Sequence, residues 1–124
     1  MADEIRLRAS LSFAKSGAFG ARDSGDISVT MSGNDGLLTQ QTVGTSEEAL
    51  GLGEVSPANG YLYICNLDAT NYVTVKPASG GSATVNPIVK AGQASLITFG
   101  SGVTAPFVQA NTAPVRIEYL LVEG

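Results

Sequence analysis

Between Ile5 and Phe13 apolar and polar residues alternate without a break, with Ile5, Leu7, Ala9, Leu11 and Phe13 on one side and Arg6, Arg8, Ser10 and Ser12 on the other. A period of two is that of a strand with one face covered, so the stretch predicts a half-buried β-strand. Lys15 to Gly25 keeps no period and contains three glycines and two serines; it predicts a long loop with Phe19 as an anchor, and its length makes it a candidate contact arm. Ile27, Val29 and Met31 then alternate with Ser28, Thr30 and Ser32 before Gly33-Asn34-Asp35-Gly36, residues that favour positive φ. This reads as a hairpin whose return strand is Leu37 to Val43, a polar edge that can pair with another chain or face water.

Thr45-Ser46-Glu47-Glu48 matches a helix capping box, but Gly51 and Gly53 follow too closely for a stable helix, which leaves one turn or a short strand. The most ordered pattern is Gly60 to Pro77. Tyr61 to Cys65 is a continuous apolar run, predicting a central strand covered on both faces, and Tyr72 to Val75 reads as its return strand in a central hairpin. Asn66, Asp68 and Asn71 are the turn-forming residues between them, since their side chains bond nearby backbone. Beyond a flexible loop over 77–83, short strands are expected at Thr84 to Lys90 (an edge, because of Pro87), Ala94 to Phe99 and Phe107 to Ala110. In the last, Val115 to Glu123, Val115, Ile117, Tyr119 and Leu121 face one way and Arg116 and Glu118 the other. About eight or nine short strands and no sustained helical period make the expected fold all-β, an antiparallel β-sandwich or jelly roll forming a single domain over 1–124.

Composition narrows the chemistry. Hydrophobic residues make up 44% and charged residues 15%, so Ser, Thr, Asn, Gln and Gly must cover much of the surface, which suits either assembly or a weakly charged β-domain. Seven basic residues against eleven acidic ones give a net charge of −4, the wrong sign for phosphate neutralisation, so no direct nucleic-acid binding is expected. The first residues lack the apolar core of a signal peptide and no apolar run approaches membrane-span length, so no membrane partner is expected.

Without histidine, Ser-His and Cys-His nucleophile systems and His-based metal sites are excluded. The pairs Glu47 with Glu48 and Asp23 with Asp26 are better read as solvated loop charges than as a catalytic dyad. Asn66, Asp68 and Asn71 do not have calcium-loop spacing, and no metal or cofactor is expected. The single Cys65 reads as a small buried hydrophobe. Tyr61, Tyr63, Tyr72 and Tyr119 are read as core and contact residues in preference to a sugar-binding groove.

Taken in order, VGTSEEALGLGEV, GYLYICNLDATNYVTV, VKAGQASLITF and APFVQANTAPVRIEYLLVEG resemble a group of small virion structural proteins of tailed bacteriophages, over about Val43 to Gly124. Such proteins combine an NLD-x-TN-aromatic-V hairpin, a K-AG-x turn and a last strand ending in hydrophobic-E. Here these are Asn66-Leu67-Asp68 with Thr70-Asn71-Tyr72-Val73, Lys90-Ala91-Gly92, and Leu121-Val122-Glu123. The resemblance implies a non-enzymatic particle component located in the virion and folded in the host cytoplasm before assembly. It would be a capsid decoration (cement) protein or, failing that, a neck, tail or baseplate protein, with a carbohydrate- or receptor-binding module as the other class. The implied partners are the major capsid protein or other virion proteins, together with copies of itself in a homo-oligomer such as a trimer. Lys15, Phe19 and Arg22 are the candidate interface, one aromatic anchor with two cations, with Met1 to Glu4 as a docking arm.

Overall fold

The computed structural model describes residues 4–80 and 86–124, none of them helical, with twelve strands joined by antiparallel pairings. Residues 1–3 of the expected docking arm, and residues 81–85 of the expected loop and strand, lie outside the described residues. The chain divides into two compact units, Met1–Ser32 and Gly33–Gly124, where one sandwich over the whole length was expected.

The first unit is a β-ribbon. β1 (Ile5–Leu7) pairs with β4 (Ile27–Val29), and β2 (Ser10–Lys15) pairs with β3 (Ala18–Asp23). Ser16 and Gly17, at φ 51° and 86°, make the two-residue turn between β2 and β3, with the positive φ at both positions that matches strand twist. Arg8 and Ala9 separate β1 from β2, while Ser24, Gly25 and Asp26 separate β3 from β4. Ser24 N donates to Ala9 O and Ala9 N to Ser24 Oγ, so the two hairpins continue one another across a bulge of one extra residue, with Gly25 at φ 67°. The loop expected over Lys15 to Gly25 is therefore a strand-turn-strand element, which its glycines disguised.

The strand expected from Ile5 to Phe13 is interrupted at Arg8–Ala9, and its apolar side is mostly open. Ile5 is buried, but Leu11 and Phe13 are 81% and 59% exposed. Alternation encodes a common face and does not say what covers it.

The hairpin expected between Ile27–Met31 and Leu37–Val43 does not form, because β4 pairs with β1. Residues 33–36 show no positive φ. Within the second unit Glu123 secures this segment: its carboxylate accepts the Asn34 N–H and its own N–H donates to Asp35 O.

The second unit contains β5 (Gly36–Val43), β6 (Glu48–Ala49), β7 (Tyr61–Asn66), β8 (Val73–Lys76), β9 (Ile88–Val89), β10 (Ala94–Thr98), β11 (Phe107–Ala110) and β12 (Val115–Val122). They form two four-stranded sheets, ordered β10-β7-β12-β5 and β6-β11-β8-β9. First pairs with last, second with second-last and so inward (β5·β12, β6·β11, β7·β10, β8·β9), the nested pairing of an eight-stranded jelly roll. The sheets enclose one apolar cluster that includes Leu62, Ile64, Val73, Val75, Ile117 and Leu121.

Tyr61–Cys65 and Tyr72–Val75 are not a hairpin. β7 and β8 belong to different sheets, and the intervening residues arch from one to the other. β7 is internal to its sheet as expected, but it is covered on one face: Leu62, Ile64 and Asn66 are buried, Tyr63 is exposed, and Cys65 is half-buried, not buried. The strand buried at every position is β8, whose polar Thr74 and Lys76 hide that burial from a hydrophobicity reading.

Candidate interaction surface

In an antiparallel pair, residues directly opposite project to the same side. The register Leu11↔Arg22, Phe13↔Gly20 and Lys15↔Ala18 therefore puts Leu11, Phe13, Lys15 and Arg22 on one face of the ribbon. Ala14↔Phe19 and Ser12↔Ala21 put Phe19 on the other. Lys15, Phe19 and Arg22 thus do not form one cluster: the two cations stand with Leu11 and Phe13, and Phe19 faces away. The Phe13 ring lies across Gly20, where an added Cβ would come within 2.9 Å of it. Phe19, expected as an anchor, is 81% exposed.

A two-stranded ribbon is marginal in water without a partner for its faces, and this one has every residue of β2 exposed. The bulge is braced by electrostatics: Arg8 donates through Nε and Nη2 to Asp23 (3.2 and 2.8 Å), and its Nη1 lies 3.6 Å from Asp26. Arg8, with the Gly25 N–H, holds the Asp23 carboxyl below its ordinary range. Asp23 and Asp26 are therefore ligands of a guanidinium and not a free carboxylate pair. Alternation alone points Leu11 and Phe13 at a core and so does not reveal them as surface residues. The Ser16-Gly17 dipeptide between two apolar-containing runs was the available signal for a ribbon.

Glu47 is not the solvated charge expected of it. The Lys76 ammonium, buried in β8, lies 2.8 Å from Glu47 Oε2 and donates also to Gln109 Oε1 at 2.8 Å. The Lys76 ammonium, with help from the Gly80 N–H, pulls the Glu47 carboxyl down to about 2. Glu48 instead accepts the Gly44 N–H and a Gln41 amide hydrogen, so the two adjacent acids serve different loops and do not converge on a common point.

In the arch between the sheets, the Asn66 amide donates to Asn71 O and Val89 O while its oxygen accepts the Asp68 N–H. Asp68 Oδ2 accepts the N–H groups of Thr70 and Asn71, which lowers its pKa, and Thr112 donates to Asn71 Oδ1. Tyr119 is buried and donates to Gly51 O, which separates it from any groove lined by the other tyrosines. Among the described residues no group of three or more His, Cys, Asp or Glu is placed to hold a metal ion, and no helix is long and apolar enough to cross a membrane.

The fold is all-β: the first unit is a β-ribbon and the second a jelly roll. No family model matches the sequence, and no curated protein matches it. Among solved structures, the chain is similar to the cupin domain of Cnp3 from Schizosaccharomyces pombe at 13% identity and a TM-score of 0.40, over 96% of this chain and 84% of that one.

Proposed function

We propose that this protein is a non-enzymatic structural component of a virion, of the capsid decoration type, and that the ribbon is its docking element. The observation that carries the reading is the ribbon itself: it exposes Leu11 and Phe19 to 81% each, on opposite faces, which is a form suited to insertion between partners. Exposed aromatic and aliphatic anchors flanked by cations are the composition of contact surfaces that bury their centre and keep a polar rim. The acids singled out in the sequence, Glu47, Glu48, Asp23 and Asp26, are engaged in structural bonds, which favours a binding role over a catalytic one. The resemblance over Val43 to Gly124 supplies the virion assignment and its partner, the assembled major capsid shell. Many copies on a repeating lattice would add weak individual contacts into firm retention.

The test is sedimentation of the purified protein with capsids from the phage that encodes it, comparing wild type with Phe19→Ser. Wild type is expected to pellet with the shells, and the variant to stay largely in the supernatant with an unchanged circular dichroism spectrum. A wild-type protein that never sediments with capsids, or that sediments with isolated tails, overturns the decoration reading. Binding on a glycan array would favour the carbohydrate-binding alternative.

A further inference from the structure

The outer face of the β10-β7-β12-β5 sheet carries an unbroken apolar row. The registers Leu38↔Leu120, Leu120↔Tyr63 and Tyr63↔Leu96 align one residue from each strand. All four are open, at 70%, 40%, 45% and 38% exposure for Leu38, Leu120, Tyr63 and Leu96. The next row toward Gly36 adds Val122 and Tyr61, paired across β12 and β7. The row on the other side contains Glu118, paired with Gln40. In a jelly roll the outer face of a sheet is ordinarily polar, so a stripe crossing every strand needs a reason.

We infer that this face is the seat of the ribbon from a second copy of the same chain, through the ribbon face that holds Leu11, Phe13, Lys15 and Arg22. Three properties select that occupant. The ribbon's Leu11 and Phe13 are two residues apart on one strand, about 7 Å, the spacing between successive rows on the sheet. Two sheet faces of that kind pack with interdigitating side chains about 10 Å apart. The two units as wholes also carry opposite net charge. The ribbon from Ile5 to Val29 has four cations and two carboxylates, net +2, whereas Gly33–Gly124 has three cations and seven carboxylates, net −4. On the sheet face itself Glu118, beside the apolar row, can receive Lys15 or Arg22, while Arg116, the next outward residue of β12, is turned to Gln40. Finally, both surfaces are exposed in the single chain, and each is of the composition that association buries. The contact joins two different surfaces, so a discrete assembly requires it to close, as a ring or a reciprocal pair. Phe19, on the ribbon's far face, stays free for another partner. This inference concerns self-assembly and stands whether or not the particle is a capsid.

Light scattering with size exclusion tests it. Wild type at about 100 µM should show a discrete mass at a multiple of the monomer, an interface of this kind holding at micromolar affinity or better. Leu11→Ser with Phe13→Ser should weaken association about a thousandfold, enough to leave the variant monomeric at that concentration, as should Leu38→Lys with Leu120→Lys on the sheet. Phe19→Ser should leave the mass unchanged. The deciding measurement mixes the two double variants: one retains an intact sheet and the other an intact ribbon, so a heterodimer should form although each alone is monomeric. A monomeric wild type, an oligomer indifferent to the ribbon substitutions, or a mixture that stays monomeric would each overturn the proposal. Circular dichroism of the sheet variant, whose ribbon is untouched, separates lost contact from lost folding.

Discussion

Ile117 lies at the middle of β12, hydrogen-bonded between β5 and β7, with no exposed surface, while its neighbour Arg116 points outward and donates to Gln40 Oε1. Replacing Ile117 by Ala removes three buried carbons, about 2.4 kcal/mol at 0.8 kcal/mol per methylene. A residual cavity of roughly 40 Å³ adds about 1 kcal/mol, for a total near 3.4 kcal/mol, within the range of about 2–5 kcal/mol seen for such truncations. Arg116→Ala loses one exposed hydrogen bond and should cost under about 1 kcal/mol. Urea melts followed by tyrosine fluorescence, at one fixed protein concentration so that association is held constant, would resolve the two. With a slope of about 1.5 kcal/mol/M the Ile117 variant should melt about 2 M earlier than wild type, and the Arg116 variant within about 0.7 M of it. Equal shifts in the two variants, or a shift below about 0.5 M for Ile117→Ala, would refute the assignment of alternate β12 residues to core and solvent.

Three further outcomes follow from particular contacts. The Glu47 pKa is depressed from its ordinary value of 4.5 to about 2, so its contribution is fully present above pH 4.5 and is lost as pH falls toward 2. Thermal midpoints from pH 6 down to 2.5 should therefore decline less steeply in Glu47→Gln than in wild type, and parallel curves would remove the ion pair from the account. Asn66→Ala should destabilise by about 2–4 kcal/mol in denaturant melts, because it strips the partners from Asn71 O and Val89 O in a buried setting; a loss under about 0.5 kcal/mol would show that the arch holds without it. Gly60→Ala would place a Cβ 2.6 Å from Val122 O and 3.0 Å from Pro57 O, both backbone atoms, so the melting temperature should fall by several degrees, and an unchanged one would contradict the close approach.

Much of the jelly roll was legible in the chain. β10, β11 and β12 fall where alternation and turn residues place them, and β12 buries the side that its period names, because a strand's period of two is local chemistry that survives any pairing. Pairing itself is not local. Whether Asn66 to Asn71 closes a hairpin or arches between sheets depends on where β11 and β12 return from some forty residues later. Neither outcome changes the turn residues needed.

The candidate surface divides in the same way. The sequence by itself supplied Lys15, Phe19 and Arg22, the exposed chemistry, and the flawless alternation of Ile5 to Phe13. Only the tertiary structure decided that β2 pairs with β3, so that register sends Phe19 to one face and the cations to the other, and that the apolar side of β2 meets solvent instead of a core. The same holds for Glu47. As a letter in a Gly-rich loop it reads as solvated, and it becomes the partner of a buried ammonium because β8 carries Lys76 beneath that loop. Burial is a property of what arrives from elsewhere in the chain, and a period of two cannot carry it.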